Sequence, residues 1–452
     1  MRTRVLVISS EHLGERMAGP AIRALELARV LADHCEVSIA APAPSTVDDD
    51  RIALVEAGFT DYHELLGAIE RHDVVVAQQL PTRLLGRLAR MPVRLVADLY
   101  NPTVMEVLEY GRQQDPTVRR RLQRLVGLRA VSHAATADFI LCASERQRDL
   151  WLGGLAMSGL LHLADYEADP SLRRVIDVVA FGLPERAPEP GPAVLKGVWP
   201  GIGPDDRVLL WGGGVWNWLD PITAIDAAGL LAEARPAIHL FFLGMARPSV
   251  EPDHADAAAA RAREHARERG LYGTRVHFND DWVPYADRGG WLLEADLGVS
   301  AHLDHLESRF SFRTRILDCL WASLPVVCTR GDALADIVEG RGLGLTVAPG
   351  DAEGLASACR SLLDDPQRHD SARAAIAAAA PDFRWSAVAQ PLVDYCVNVR
   401  ELEPLAGHPR AAAAATVAQY PDMVGEAYAA GGAGAAARRL GRNLARRLGS
   451  RG

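Results

Sequence analysis

Short runs of apolar and β-branched residues alternate with longer segments of helical period along the chain, and the alternation occurs twice. In the first half the runs lie at Arg4–Ser10, Glu36–Pro42, Asp73–Gln79, Val93–Leu99, Asp138–Ser144 and Ile176–Gly182. They are nearly continuous in apolar residues, as strands buried on both faces of a parallel sheet must be, and parallel strands require crossover helices between them. From Phe181 to Pro204 the chain reads FGLPERAPEPGPAVLKGVWPGIGP, too rich in proline and glycine for one regular element, which marks a linker. A second series follows at Arg207–Trp211, His239–Gly244, Val276–Asn279, Asp296–Ala301, Pro325–Thr329 and Gly344–Ala348. The pattern predicts an α/β protein of two Rossmann-like domains, residues 1–183 and 205–380, joined by the linker 184–204 and facing each other across a central cleft. Trp385–Val399 reads as a closing helix within 381–400, and 401–452 as an alanine- and glycine-rich extension with a basic amphipathic end.

Composition narrows the class. The chain has 452 residues, 49% hydrophobic and 24% charged with a net charge of -9, which is globular and gives no sign of a nucleic-acid partner. Its six cysteines are scattered without a C-x-x-C pair, so neither a zinc site nor a disulfide framework is expected, and a reducing cytoplasm fits best. The N-terminus runs directly into RVLVISS without a signal-peptide pattern. The longest apolar stretch, Trp151–Leu163, is broken by glycines and His162 and falls short of the roughly 20 residues of a membrane span. At the end of the chain Leu440, Leu444 and Leu448 recur among arginines, which reads either as a solvated tail or as a helix resting on the anionic inner face of a cell membrane.

In doubly wound folds ligands bind beyond the C-terminal ends of the strands, and two such loops stand out. The first, LLWGGGVWNWLDP, places Gly212, Gly213 and Gly214 before a helix starting near Pro221. Bare backbone and a helix N-terminus suit a diphosphate, although the spacing is not that of a dinucleotide fingerprint, and a tight turn explains the glycines equally well. Asp220 before Pro221 reads as an N-cap, whereas Trp216 and Trp218 read as lining a ligand site. The second loop leads into FRTRILD, where Arg313 and Arg315 flank Thr314 in the first turn of a helix. Cations oppose the helix dipole there, so they ask for an anion: a phosphate, or an ion pair with Glu307 or Asp304. Asp318, deeper in that helix, is suited to a ribose hydroxyl pair.

The run RILDCLWASLPVV, the loop TRGDALADIV and the strand-like GLGLTVAPGD resemble the donor-binding end of the family 4 retaining glycosyltransferases of GT-B fold, of bacterial cell-surface or secondary-metabolite type. The resemblance extends from AGPAIRALELARVLA to FRWSAVAQPLVDYC. It implies that Asp318 stands where the family has its ribose-binding glutamate. The family's other glutamate falls on Phe310, with Glu307 one turn away as a substitute contact to the donor sugar. The family's arginine and lysine pair for the diphosphate is missing, the lone lysine being Lys196 in the linker, so Arg313 and Arg315 with the amides near Gly213 and Gly214 are expected to take that part. VHFNDDWVPYADRGGWLLEADLGVS resembles the base-reading loop, with Trp282 and Val283 at the contact positions. RMAGPAIRALELARVLA resembles the acceptor-side glycine loop, with Gly19 and Arg23, and the strand RLVADLYNP ends in Asp98 and Tyr100 where the family carries a histidine near the reacting sugar. Glu106 is a second candidate catalytic carboxylate; it and Asp98 also read as helix-start carboxylates. Ser144 and Gln147 read as a capping box. His302, Asp304 and His305 lack a third ligand position at fitting spacing, so no metal or other cofactor is expected.

The expected reaction is transfer of a sugar from a nucleoside-diphosphate sugar to a hydroxyl of a glycan, lipid-linked or small-molecule acceptor, with retention if the resemblance holds. Two alternatives remain open at this point: a nucleotide-sugar epimerase on the same fold, and a catalytically silent protein that binds a nucleotide sugar or a partner.

Overall fold

The computed structural model describes residues 2–110, 112, 114–234, 237–245 and 254–402, so the leucine and arginine pattern at the end of the chain lies outside the described residues. Two parallel sheets organise it. The first runs β3-β2-β1-β4-β5-β6-β7, from β1 (Arg4–Ile8), β2 (Glu36–Ala41), β3 (Ile52–Glu56), β4 (Val74–Ala77), β5 (Arg94–Asp98), β6 (Phe139–Cys142) and β7 (Ile176–Val178). The second runs β10-β9-β8-β11-β12-β13, from β8 (Arg207–Trp211), β9 (Ile238–Phe242), β10 (Val276–Phe278), β11 (Leu297–Ser300), β12 (Val326–Thr329) and β13 (Gly344–Val347). The strands follow from their sequences. β4 (VVVA) and β6 (FILC) are buried at every position, and only a parallel sheet covered on both faces accommodates them.

Helices close both faces. Gly19–Ala32 starts with Pro20 in its first turn and turns Ala24, Leu27, Ala28 and Leu31 into the core beneath β1 and β2. The linker has no strand, yet it is fastened to the second domain: Glu294 accepts from the amides of Val194, Leu195 and Lys196, Lys196 pairs with Asp296 at 2.7 Å, and Trp199 packs edge-on against Phe241. The closing segment differs from the single helix predicted. It forms Trp385–Val388 and Gln390–Asn398, because Pro391 cannot continue a helix hydrogen-bond ladder and instead starts a new one. This segment returns to the first domain, where Tyr395 stacks on Phe139 at 4.7 Å and Trp385 lies against Phe181. No described helix is long and apolar enough to cross a membrane.

Each sheet reverses its strand order once, between β1 and β4 in the first and between β8 and β11 in the second. Loops diverge at such a point and leave a crevice beyond the strand ends. The two crevices hold most of the candidate chemistry.

Candidate active site at the two crevices

In the second domain the loops after β8 and β11 are tied together: Asp220 N–H donates to the Ala301 carbonyl at 3.0 Å, and Leu219 forms an isolated bridge with His302. Between Trp211 and Val215 the chain bends through the three glycines, with Gly213 at φ +78. Behind the bend Gly244 lies so close that a Cβ on it would come 2.7 Å from the Gly213 carbonyl carbon. Glycine is therefore required at both places, one for its backbone angle and one for its lack of bulk. Trp216 and Trp218 stack on each other at 5.1 Å, and Trp218 is buried in the core. The indole pair thus closes the domain's core beside the bend, rather than both rings standing free to meet a ligand. Asp220 caps the helix Pro221–Ala234 by accepting from Thr223 N–H at 3.0 Å, as the sequence implies.

The two arginines separate. Arg313 is not in the first turn but at the N-cap of Thr314–Trp321, 7% exposed, and forks onto Glu307 with contacts of 3.1 and 2.7 Å. The ion pair with Glu307 is thus what it makes, and Glu307, also held by Ser311, is buried with it. Thr314 is exposed. Arg315 turns to the glycine bend: one Nη donates to the Gly214 carbonyl at 3.0 Å, and the guanidinium lies 4.9 Å above the Trp211 ring. The other Nη is buried with no partner, and the guanidinium makes no ion pair among the described residues. Burial first, and Arg313 second, push its pKa down to about 9. A cation enclosed beside bare backbone, with Asp318 and Asp332 acting on it only from a distance, has the chemistry to pair with an anion.

Other polar atoms around it are equally unsatisfied. His302 Nε2, Asp332 Oδ2, Arg313 Nε, His305 Nε2, Ser300 Oγ and Trp211 Nε1 are buried without hydrogen-bond partners. Asp332 caps Ala333–Arg341 with its other oxygen and approaches His302 Nε2 to 3.3 Å. Native interiors rarely strand so many polar atoms in one place unless a ligand or water meets them.

Asp318 gives one oxygen to Arg288 Nε at 2.9 Å and remains 33% exposed in its side chain; Arg288 is sandwiched between Tyr285 and Trp321. Trp282 N–H donates across the cleft to the Glu15 carbonyl at 3.1 Å, and Val283 packs on the core. Phe310 ends the helix Leu306–Phe310, and its carbonyl accepts from Gln147 of the first domain at 2.8 Å. Ser144 caps Glu145–Met157 through Gln147 N–H, as expected, and Arg146 in that helix donates to Gly331 and pairs with Asp336. Three separate points thus fasten the domains around the cleft.

At the first crevice the expected pair of Arg23 and Asp98 is found together but turned inward. Arg23 is fully buried, donates to both Asp98 oxygens at 2.7 and 2.8 Å, and gives two further donors to the carbonyls of Val179 and Ala180. Tyr100 lies against the guanidinium, 4.5 Å away. Both charges are satisfied by each other, so the pair braces β5 against the first helix, and both Asp98 oxygens are engaged by Arg23 rather than open to take a proton. Gly19 opens that helix, with open space where a Cβ would stand. Beyond the pair lies a cavity of about 240 Å³ lined by Glu11, Gln78, Tyr100, Asn101, Arg129 and His133, among others. His133 is buried; it accepts from Leu80 N–H at 2.6 Å and donates from Nδ1 to the Arg129 carbonyl, and burial pushes its pKa down to about 4.

Glu106, in the helix Thr103–Tyr110, lies within electrostatic reach of Glu307 and Arg313 of the second domain. That helix packs against Leu306–Phe310 of the other domain. Burial, then Glu307, push the Glu106 carboxyl up to about 7, with Arg313 opposing. A half-buried carboxyl that titrates near neutrality at a domain interface is placed to exchange a proton. Arg129, Glu11 and His133 were not singled out in the sequence; only the position of Glu11 directly after β1 offered a signal.

Residues 206–365 match the family model described as glycosyl transferases group 1. No curated protein matches the chain. Among solved structures it is similar to sucrose-phosphate synthase of Thermosynechococcus elongatus (16% identity, TM-score 0.60, 88% of this chain and 100% of that one). It is also similar to HepE of Anabaena in complex with UDP-glucose (14%, 0.61, 88% and 100%) and to WaaG, a glycosyltransferase involved in lipopolysaccharide biosynthesis (15%, 0.54, 87% and 99%). At these identities the likeness concerns architecture. The chain has the GT-B fold, and the match to glycosyl transferases group 1 falls within its second domain.

Proposed function

We propose that the protein transfers a sugar from a nucleoside-diphosphate sugar to an acceptor hydroxyl, with retention at the anomeric carbon. The observation that carries this reading is Arg315, enclosed at the glycine bend with an unmatched positive charge. The diphosphate lies there, and the free oxygen of Asp318 faces the ribose. During transfer the bond between the anomeric carbon and the diphosphate oxygen breaks, and the bond to the acceptor oxygen forms. The acceptor's proton passes to Glu106, whose raised pKa suits it to that exchange. Charge accumulating on the departing diphosphate is met by Arg315 in a site from which closed domains exclude water, so transfer proceeds without a metal ion. The six buried, unpaired cysteines support a cytoplasmic setting. HepE was solved with UDP-glucose, and this chain is proposed to bind a donor of the same type.

The test is calorimetric titration with uridine, guanosine and thymidine diphosphates in the presence of a chelator. One of them is expected to bind tightly, and Arg315→Ala to weaken it by roughly ten- to a hundredfold, the worth of a hydrogen bond to a charged group. Unchanged affinity in that variant removes the reading. An epimerase is recognised by a change in the donor sugar without acceptor, a silent protein by donor binding without turnover.

A further inference from the structure

The first-domain cavity carries one charge that its surroundings leave unanswered. Four groups in its wall are ionisable besides Tyr100. Asp98 is neutralised by Arg23. His133 has both ring nitrogens engaged and is held neutral. Glu11 is shifted by burial toward its protonated form. Arg129 remains: its guanidinium makes no hydrogen bond or ion pair with any described residue, although its charge is close enough to His133 to lower that group's proton affinity. Around it stand uncharged hydrogen-bonding side chains, Gln78, Gln79, Asn101 and Thr103, and the space is about 240 Å³. Pockets for drug-sized ligands measure about 300–1,000 Å³, so the guest here is small.

We propose that this cavity takes a small polyhydroxylated acceptor bearing an anionic group, phosphate or carboxylate, which pairs with Arg129 while its hydroxyls are read by Gln79, Asn101 and Thr103. The inference rests on the sugar-transfer reading for the word acceptor, and on the cavity alone for the anion. Guanidinium forks onto phosphate and carboxylate alike, so the geometry names the shared chemistry and the experiment separates the two. The crevice lies at the strand-order reversal of the first sheet, and Thr103 in its wall opens the helix that carries Glu106 and packs against Leu306–Phe310, so the cavity adjoins the interface between the domains.

The full chain is titrated with glucose, glucose 6-phosphate and glucuronate, and separately with the nucleoside diphosphates. An anionic sugar is expected to bind roughly ten- to a hundredfold more tightly than glucose, as a charge-assisted pair provides, with phosphate or carboxylate preferred according to which of the two probes wins. Arg129→Gln should abolish the preference while leaving glucose binding unchanged, and Arg129→Lys, which keeps the charge, should retain part of it, which guards against a variant that fails to fold. Equal affinity for the three sugars, no detectable binding of any, or a preference that survives Arg129→Gln overturns the proposal. Diphosphate binding without an anion preference leaves the donor site standing while the anion site falls. An Arg129-dependent preference without diphosphate binding does the opposite, keeping the anion site and removing the donor site.

Discussion

Arg23 and Arg315 occupy comparable places in the two domains, each near the strand-order reversal of its sheet, and they have opposite relations to their surroundings. Arg23 has its donors nearly all matched, by a carboxylate and two backbone carbonyls. Arg315 has one carbonyl, an aromatic face and a closed-off Nη with nothing to bond. The first is an internal brace; the second keeps a buried donor without a partner, which is why it is proposed to meet the diphosphate. A charged residue type near a cleft therefore says little until its partners are counted, and what distinguishes structure from site is unmet demand.

The contrast is broken most directly at Arg23. Arg23→Met leaves Asp98 as an uncompensated buried charge, which costs about 3–5 kcal/mol. That is a large part of the roughly 5–15 kcal/mol that holds a domain folded. Urea unfolding should show a markedly lower midpoint, with much of the loss recovered when Asp98→Leu is added, because an apolar pair replaces an ion pair at little cost. Arg315→Ala removes a desolvated cation and should leave the midpoint equal or higher. If the two single variants destabilise equally, the distinction between brace and site is wrong.

Glu106 sharpens the comparison because its helix packs across the domain interface and its carboxyl feels Glu307 and Arg313. Its carboxyl must be ionised to accept a proton, and its pKa near 7 means that the ionised fraction grows as pH rises through neutrality. The rate of transfer should therefore climb with pH and level off above about 8, one unit past that pKa. Glu106→Gln should lower kcat by about 10²–10⁴-fold and flatten that limb, with donor affinity little changed. A pH limb that persists in the variant assigns the titration to another group.

How much of this was legible in the sequence depended on whether a feature is local. The buried strands were readable because a parallel strand covered on both faces must be continuously apolar, as β4 and β6 are. β3 was missed for the converse reason: it is the edge of its sheet, only Ile52 is buried, and its pattern resembles a loop. The break at Pro391 was present in the sequence but outweighed by the helical period on either side. At the site, the sequence marked Arg313 and Arg315 equally. Only folding brings Glu307 to the first and the bare Gly214 carbonyl to the second. Arg129 was hidden in a helix that also carries Arg119, Arg120, Arg121 and Arg124, where one arginine facing a cavity has no sequence mark to set it apart.

The smallest effect is expected at the rim. Arg146 reaches from the first domain to the Gly331 carbonyl and Asp336 of the second, and both ionic side chains are well exposed, 39% and 57%. Exposed ion pairs contribute about 0–1 kcal/mol, so Arg146→Ala should barely move the unfolding midpoint. Its contacts nevertheless span the cleft, and losing them biases the molecule toward separated domains, which lowers the share of time in which Glu106 faces Glu307 and Arg313. The expected outcome is a fall in kcat of a few fold, matching the RT ln relation for a change of under about 1 kcal/mol in the closed population. Raising the salt concentration in the native protein should mimic it, because screening weakens an exposed pair and leaves the buried Arg313–Glu307 and Arg23–Asp98 pairs in place. A variant that loses stability as well as rate would show instead that this contact holds the domains folded rather than closed.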